Sequence, residues 1–323
     1  MRRVLNVVVT VGAMIGAAAL AVAQPVKEPT ESKKTLVVGF SQVGAESAWR
    51  TAETKSIRSE AEKRGVDLKF ADAQGKQANQ INAIRSFITQ RADAIILAPV
   101  VETGWEPVLR EAKEAKIPVV LVDRGVNVAD KSLYATLIAS DFVEEGKRAA
   151  EWLVSKTGGK ANIVELQGTT GAAPAIDRRK GFAEVIARYS DMKIIKSQSA
   201  DFTRAKGKEV MQAFIKSDKG KFNAVYAHND DMALGAIQAL EEAGIKPGTD
   251  VFVISIDAVK EAFESMVAGK LSATVECNPL LGPSAFDTVE KVLAGKDVPK
   301  FIKQNDGMFD QGNAAAAIKS REY

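Results

Sequence analysis

The sequence has very little cysteine and histidine. Among its 323 residues there is one of each, Cys277 and His228. A single cysteine excludes an intramolecular disulfide, so a large apolar core must supply the stability. A single histidine excludes a metal site built from several histidines, and a catalytic triad based on histidine could use only His228. We expect Cys277 to be a small buried residue rather than a nucleophile, and His228 to be packed beside Asn229 rather than to act as a base.

The sequence also has little net charge. Its formal charge is +3, and Arg2 and Arg3 supply two of those positive charges, so the rest of the chain is nearly neutral. A chain without a basic field has no strong electrostatic attraction for nucleic acid or for an acidic lipid surface. The apolar share of 46% and the charged share of 26% are typical of a soluble globular protein, and 323 residues are enough for two domains.

Long apolar runs are absent except near the N-terminus. Residues 4–20 are almost uninterrupted apolar sequence, and they end in the small residues Ala-Val-Ala at 21–23. Together with the preceding arginine pair, this order predicts a signal peptide over residues 1–23 that is cleaved just before Gln24, and therefore an exported protein. The alternative is an apolar anchor that stays attached. Residues 24–34 are polar with two prolines, which predicts a flexible leader.

From Thr35 onward, short apolar runs alternate with amphipathic stretches. The predicted strands are 36–40, 66–70, 94–98, 117–122, 134–138, 162–166, 194–197, 224–227, 252–256 and 271–275. The predicted helices are 48–64, 77–90, 104–115, 142–155, 175–188, 205–217, 232–243, 259–267 and 281–294. This repeated unit predicts an α/β fold with parallel strands and right-handed crossovers. The last segment, 298–323, is less regular, with Met308 and Phe309 as a candidate strand.

The two halves of this pattern are joined without a long proline- or glycine-rich linker. We therefore expect two β-α lobes between which the chain crosses more than once, as in a hinged two-lobe binding protein. In an open α/β sheet, ligands bind at the carboxyl ends of the strands, where helix N-termini also point. The candidate residues near the strand ends are Glu46, Ser47, Trp49, Arg50, Asp123, Arg124, Arg178, Asn229, Asp257 and Glu276. If the lobes face each other, these residues line one cleft.

The candidate residues have the chemistry that a sugar requires. A hydroxyl both donates and accepts a hydrogen bond, so it can be held between a carboxylate and a guanidinium such as those of Asp123 and Arg124. Trp49 can stack on the C–H face of a sugar ring. Simpler interpretations stay open, because Asp123-Arg124 can be a turn and Trp49 can belong to the core.

Two other polar groups have structural interpretations. Asp230 and Asp231 are more typical of a helix N-cap than of a ligand contact. Arg178 is followed by two further cations, Arg179 and Lys180, and only one of the three can point inward. A glycosidase would need paired carboxylates, for which Glu46, Asp123 and Asp257 are the candidates. Arginine neighbours should hold these three ionised, which suits hydrogen bonding more than general acid catalysis.

Several segments occur in a specific order along the chain. They are GFSQVGAESAWRTAET, LAPVVETGWEPVLREAK, VDRG, VELQGTTGAAPAIDRRKGF, SADFTRAKGKEVM, YAHNDDMALGAIQALEEAG and SIDAV. In this combination the chain resembles the periplasmic solute-binding proteins of ABC sugar importers, in the ribose- and galactose-binding branch, over nearly all of residues 36–300. The resemblance is strongest to the members of that branch that bind galactofuranose.

The resemblance implies two Rossmann-like lobes with parallel sheets, joined by a three-crossing hinge, as in type I periplasmic binding proteins. The expected N-terminal lobe is 35–139 plus 278–305, and the expected C-terminal lobe is 140–277 plus 306–323. The family's ligand contacts fall on the candidate residues above. Glu276 matches a polar hinge position that is glutamine in the ribose-binding relatives, and this change, together with Trp49, argues against ribose.

The resemblance also implies a function. We expect a periplasmic component of an ABC importer, with an inner-membrane permease as its partner. We expect it to bind a monosaccharide by hinge closure, and galactofuranose is the leading candidate. We expect a monomer without enzyme activity, cofactor or metal. The alternatives are another pentose or hexose, or presentation of the sugar to a chemoreceptor or sensor kinase. A transcription regulator of this fold would carry an N-terminal helix-turn-helix, which the predicted signal peptide replaces.

Overall fold

The computed structural model describes residues 1–2, 4–12 and 35–323. The predicted cleavage site before Gln24 and the predicted leader lie outside the described residues, as does much of the predicted signal peptide. Contacts divide the chain into Met1–Lys34 and Thr35–Tyr323, and every described helix and strand belongs to the second unit. Within the described ranges, no helix combines the length and the apolarity that a membrane span needs.

Strands and helices alternate along most of the second unit. The strands are β1 (Val37–Gln42), β2 (Asp67–Asp72), β3 (Ala94–Leu97), β4 (Val119–Val122), β5 (Thr136–Ala139), β6 (Ala161–Gln167), β7 (Met192–Ser199), β8 (Ala224–Ala227), β9 (Phe252–Asp257), β10 (Ala273–Glu276), β11 (Phe301–Lys303) and β12 (Met308–Asp310). The helices are α1 (Ala48–Arg64), α2 (Gln77–Thr89), α3 (Glu106–Glu114), α4 (Phe142–Thr157), α5 (Ala173–Ile186), α6 (Arg204–Asp218), α7 (Asp230–Glu242), α8 (Lys260–Val267), α9 (Gly282–Leu293) and α10 (Ala314–Ala317).

The strands form two six-stranded sheets, one in each lobe. Their orders are β11-β5-β4-β3-β1-β2 in the first lobe and β12-β10-β9-β8-β6-β7 in the second. The chain passes from one sheet to the other after β5, after β10 and after β11. The predicted α/β fold with two parallel-sheet lobes and three crossings is therefore confirmed.

Burial along the strands follows their places in the sheets. Every residue of β3 and β4 is buried, because helices cover both faces of a parallel sheet and leave no solvated side. β2 is only partly buried and lies at an edge of its sheet. The alternation of Val66, Leu68 and Phe70 with polar residues agrees with this edge position. Gly65 is the C-cap of α1, with a left-handed φ of 66° that glycine adopts without a steric penalty.

The C-terminal segment contains structure that the sequence pattern missed. β11 adds to the first sheet parallel to β5, whereas β12 pairs antiparallel with β10 in the second sheet. The candidate strand at Met308 and Phe309 is thus confirmed, and β11 was not predicted. Both strands have three residues, which is too few to show a period, and their hydrogen bonds come from sheets built far earlier in the chain.

Two glycines allow α4 and α5 to pack with their backbones in contact. A Cβ atom on Gly181 would lie 1.9 Å from the carbonyl oxygen of Val143, and one on Gly146 would lie 2.1 Å from that of Arg178. No side chain fits at such distances, so both positions require glycine. Because α5 carries Arg178, this close packing also sets how far the Arg178 side chain reaches toward the first lobe.

We predict that Gly181→Ala destabilises the protein by about 3 kcal/mol, because α4 and α5 must move apart to admit the methyl group. Chemical denaturation followed by circular dichroism measures this change. The control is Ala183→Gly on the exposed face of the same helix, which should cost only about 1 kcal/mol in helix propensity. A Gly181→Ala variant as stable as the unmodified protein would contradict the packing described.

Candidate functional site

A polar cavity of about 290 Å³ lies between the two lobes, at the carboxyl ends of their strands. Six of its lining residues belong to the first lobe, five to the second, and one follows β10. They are Glu46, Ser47, Trp49, Arg50, Asp123, Arg124, Pro174, Arg178, Phe202, Asn229, Asp257 and Cys277. Nine of the ten candidate residues from the sequence are therefore in this one cavity.

Helix N-termini from both lobes point toward the cavity. Ser47 is the N-cap of α1, where its Oγ accepts a hydrogen bond from the backbone N–H of Arg50 at 3.1 Å. Asn229 is the N-cap of α7 and accepts from the backbone N–H of Met232 at 3.0 Å. The sequence interpretation assigned the cap of this helix to Asp230 and Asp231, and that was wrong by one position, since the helix begins at Asp230. The two caps bring partial positive charge to the cavity.

Two lining aspartates adopt unusual backbone angles at the ends of strands. Asp123, just after β4, has a φ of 60°, and Asp257, the last residue of β9, has a φ of 128°. Residues other than glycine rarely adopt positive φ, and such strain is concentrated at functional sites. In both lobes the strand therefore ends in a sharp change of direction that turns a carboxylate toward the cavity.

Arg50 is held by three carboxylates. Its Nε donates to Glu46 at 3.1 Å, its Nη1 to Glu53 at 2.5 Å and its Nη2 to Asp123 at 2.6 Å. The Arg50 side chain is only 3% exposed, so its charge must be compensated within the protein. These bonds orient Glu46 and Asp123, and they leave one further N–H group on Nη1 and one on Nη2.

Arg124 keeps hydrogen-bonding capacity for a ligand. Its Nη1 donates to the carbonyl oxygen of Val100 at 3.1 Å, and its guanidinium lies 5.3 Å from the centre of the Phe202 ring. Its Nε is buried and lies 3.4 Å from Oδ2 of Asp123, an ion pair, but it has no hydrogen-bond partner among the described residues. A buried donor without a partner is costly, and a ligand acceptor in the cavity would remove that cost.

The charges around Arg124 also affect Glu46. Burial opposes the ionisation of Glu46, but the guanidinium groups of Arg50 and Arg124 outweigh it and lower the pKa of that carboxyl. Glu46 is thus an acceptor without a proton at neutral pH.

Arg178 is the corresponding cation of the second lobe. Its Nε donates to Glu145 at 2.7 Å, its Nη1 donates to the carbonyl oxygen of His228 at 2.6 Å, and its Nη2 lies 3.6 Å from Asp257. The neighbouring Arg179 and Lys180 are exposed, which confirms that one of these three cations points inward. Burial raises the pKa of Asp257, and Arg178 offsets this only in part.

The single histidine and the single cysteine are both buried. The Nδ1 atom of His228 accepts from the backbone N–H of Gly168 at 3.3 Å, and its Nε2 lies 3.2 Å from Glu165. Burial lowers the pKa of His228, so the ring stays neutral, and it is a packed neighbour as predicted. Cys277 is buried, also as predicted, but in addition it lines the cavity. Burial raises the pKa of its thiol, which disfavours the nucleophilic thiolate.

Trp49 connects the two lobes directly. Its indole Nε1 donates to the carbonyl oxygen of Cys277 at 2.6 Å, and its ring packs in the apolar core cluster of the second lobe although α1 belongs to the first. The Arg50 guanidinium lies 4.8 Å from the centre of the ring. Trp49 is therefore a core residue, as one of the two interpretations of the sequence held, and it also lines the cavity.

Two further hydrogen bonds join the lobes. The backbone N–H of Ala48 at the start of α1 donates to Oδ2 of Asp231 at 2.9 Å. The backbone N–H of Glu102 donates to the carbonyl oxygen of Gly171 at 3.0 Å. These bonds can exist only while the lobes are in contact, so the structure has the closed arrangement.

Glu276 does not line the cavity. Its Oε1 accepts from Arg321 at 2.5 Å and from the Tyr323 hydroxyl at 3.0 Å, and its Oε2 accepts from the backbone N–H of Gly307 at 2.7 Å. Glu276 thus ties the hinge to the C-terminal residues. Sequence position alone could not reveal this, because its partners lie 31 to 47 residues further along the chain.

Sequence reasoning missed three lining residues, Pro174, Phe202 and Cys277. Each follows the end of a strand, β6, β7 and β10 respectively, so the rule that selected the other residues could have found them. The rule did not select them because they are apolar or weakly polar, and it was applied only to charged and hydrogen-bonding side chains. They supply the apolar part of the wall.

Two facing α/β lobes with a closed polar cavity between them define a two-lobe ligand-binding protein. The model of the periplasmic binding protein domain matches residues 38–297. The chain therefore belongs to the periplasmic binding protein family, which consists of binding proteins rather than enzymes.

Several relatives are highly similar to this chain. It is 57% identical over 268 residues to the galactofuranose-binding protein YtfQ of Escherichia coli K12, covering 82% of this chain and 84% of that protein. The structure resembles the binding component of the arabinose ABC transporter of Shewanella sp. ANA-3, bound to α- and β-L-arabinofuranose, with a TM-score of 0.87 and 56% identity over 88% of this chain and 95% of that one. It equally resembles a Mycobacterium smegmatis structure in complex with β-D-fucofuranose, with a TM-score of 0.87 and 52% identity over 90% and 96% of the two chains.

Asp230 is fully buried next to Asn229, and its hydrogen-bond partners among the described residues are two hydroxyls and a backbone N–H, none of them a cation. Its Oδ1 accepts from the hydroxyls of Ser255 and Thr274, at 2.5 and 2.8 Å, and its Oδ2 from the backbone N–H of Val259 at 2.8 Å. These bonds fasten the start of α7 to the end of β9, which carries Asp257. Burial raises the pKa of Asp230 to about 7.

We predict that Asp230 makes the folded protein less stable as the pH rises from about 4 to about 7. Over that range the unfolded chain releases the proton while the folded chain keeps it, so unfolding is favoured by as much as about 4 kcal/mol. Urea denaturation at pH 5 and pH 8 measures the difference, which should be smaller in Asp230→Asn. The control is Glu264→Gln, at an exposed carboxyl, which should retain the full pH dependence. An equal pH dependence in Asp230→Asn and the unmodified protein would contradict the prediction.

Proposed function

We propose that this chain is the periplasmic solute-binding component of an ABC sugar importer. We propose further that it binds one monosaccharide in its furanose form, with galactofuranose as the leading candidate. The observation that carries the proposal is the buried Nε of Arg124, a donor that has no hydrogen-bond partner in the described part of the chain. It lies in a cavity lined by carboxylates and guanidinium groups from both lobes. A sugar hydroxyl can accept from Arg124 and donate to a carboxylate at the same time.

The lining of the cavity and the ligands of the relatives support a monosaccharide. The wall combines charged and hydrogen-bonding side chains with the rings of Trp49, Phe202 and Pro174, a mixture that can orient a small polar ligand. The relatives compared above carry galactofuranose in their name or arabinofuranose and fucofuranose in their structures. All three sugars have five-membered rings, so we propose that this chain selects that ring form.

We assign the ligand contacts to nine of the residues predicted from the sequence. Charge-assisted hydrogen bonds contribute about 1.5–3 kcal/mol each, and they come from Glu46, Arg50, Asp123, Arg124 and Arg178. Asp257, whose pKa is raised by burial, contributes its carboxyl as a hydrogen-bonding group. Ser47 and Asn229 contribute their polar groups and the adjacent helix N-termini. Trp49, with Phe202 and Pro174, contacts the C–H groups of the ring. Glu276 is not among these contacts, because its carboxylate binds residues of the hinge and of the C-terminus.

Binding works by closure of the two lobes. A ligand that contacts both lobes binds the closed state better than the open state, and it shifts the population toward closure. We propose that the lobes consist of 35–139 with 278–305 and of 140–277 with 306–323. The closed shape is what the inner-membrane permease would recognise.

The remaining parts of the proposal concern export and assembly. We propose that residues 1–23 are removed before Gln24 and that the mature protein acts as a monomer in the periplasm. The family to which the chain belongs is periplasmic. Mass spectrometry of the mature protein tests the cleavage site, and light scattering tests the monomer.

We predict that the purified protein releases heat and changes its Trp49 fluorescence when titrated with D-galactose or L-arabinose, and that ¹³C NMR shows the bound sugar as a furanose. Arg124→Ala should lower the affinity by about 10- to 100-fold, because it removes a charge-assisted hydrogen bond. The control Arg179→Ala changes an exposed arginine and should leave the affinity unchanged. The proposal fails if no pentose or hexose gives a signal.

We predict that Asp231 stabilises the closed state without touching the sugar. Its carboxylate accepts from Ala48 of the opposite lobe and also pairs with Arg204 at 3.1 Å. Asp231→Ala removes the bond between the lobes, so sugar affinity should fall by about tenfold, and small-angle scattering should detect more open protein at equal sugar concentration. Glu261→Ala removes only the second partner of Arg204 and should have little effect. Unchanged affinity and scattering in Asp231→Ala would exclude this role.

A further inference from the structure

A second and larger cavity adjoins the first between the same two lobes, and we call it the outer chamber. It encloses about 870 Å³, including the part open to solvent, compared with about 290 Å³ for the first cavity. Its wall combines Val43, Ala45 and Val100 of the first lobe with Thr169, Asp201 and Thr203 of the second. Ala45 and Asp201 are exposed, so the outer chamber forms the mouth of the cleft.

The two cavities share a boundary. Glu46 lines both of them. Arg124 lines the first cavity and donates to the carbonyl oxygen of Val100, which lines the outer chamber. In the second lobe, Phe202 faces the first cavity while its two chain neighbours line the outer chamber. Glu46 therefore lies between the two cavities, with the outer chamber directly beyond it.

The two oxygens of Glu46 face different surroundings at this boundary. Oε1 accepts from Arg50 at 3.1 Å and lies 3.7 Å from Arg124. Oε2 is buried and has no hydrogen-bond partner among the described residues. It lies 3.3 Å from the position that a Cβ atom of Gly44 would occupy, on the side of the outer chamber, which Gly44 also lines. A buried carboxylate oxygen of this kind needs a donor, and a ligand hydroxyl at the boundary can supply one.

We propose that the outer chamber is a second subsite, which holds the second unit of a disaccharide or the aglycone of a short glycoside whose terminal furanose occupies the first cavity. A hydroxyl near the linkage donates to Oε2 of Glu46. The chamber has the mixed wall that a sugar ring requires, because Val43, Ala45 and Val100 can pack against C–H groups and Thr169 can bond hydroxyls. This inference rests on the proposed function and extends its ligands from free furanoses to furanosides.

The test compares free D-galactose with a disaccharide that ends in a β-D-galactofuranosyl unit, by isothermal titration calorimetry on the mature protein. The disaccharide should bind with an affinity equal to or higher than that of galactose. Ala45→Phe places a large side chain in the outer chamber and should weaken disaccharide binding by at least about tenfold, while galactose binding changes by less than about twofold. The control Ala213→Phe adds the same ring on an exposed position of α6, away from both cavities, and should change neither affinity.

The outcomes separate this inference from the proposed function. If galactose binds and the disaccharide does not, the second subsite is wrong and the proposed function stands. If Ala45→Phe weakens both ligands equally, the outer chamber is only the entry path of the free sugar, and the inference is also overturned. If neither ligand binds to the unmodified protein, the proposed function fails and the second subsite fails with it.

Discussion

Buried arginines between the lobes constrain the whole structure. A guanidinium group removed from water requires compensation by nearby carboxylates and carbonyl oxygens. Arg50 obtains three carboxylate partners within its own lobe, and Arg178 obtains Glu145 and Asp257 in the other. Arg124 obtains only partial compensation, since its Nε has no hydrogen-bond partner among the described residues. Two of these cations are therefore held in place, while the third keeps a donor available to whatever enters the cavity.

The scaffold meets this constraint with close packing and local strain. Glycines at 146 and 181 allow α4 and α5 to touch, and this contact brings Glu145 of one helix to Arg178 of the other. Positive φ angles at Asp123 and Asp257 turn the strand ends toward the cavity. Such angles cost about 1–3 kcal/mol each, and the surrounding sheets are rigid enough to sustain them. Packing far from the cavity thus decides the positions of atoms within it.

Much of the fold could be predicted from the sequence because its signals are local. The period of apolar residues located nearly all helices and strands, and the repeated β-α unit required parallel sheets. The rule that ligands bind at strand ends selected nine of the lining residues, from Glu46 to Asp257. What could not be predicted depends on distant partners. Glu276 follows a strand as Asp257 does, but the C-terminal residues Arg321 and Tyr323 occupy its carboxylate. β11 has no period of its own and exists only because β5 offers a free edge.

The class of fold, the strand ends at which a ligand binds and the charged character of the site can be predicted from the sequence, since each follows from residue type and spacing within about one β-α unit. Which atoms remain without hydrogen-bond partners depends instead on how the chain packs in three dimensions. The way in which the two lobes meet decides whether Arg124 Nε and Glu46 Oε2 have hydrogen-bond partners. It also decides whether Trp49 packs across the cleft and whether Asp231 caps a helix of the opposite lobe. Those relations join residues separated by up to 228 positions, and a local pattern carries no information about contacts at that separation.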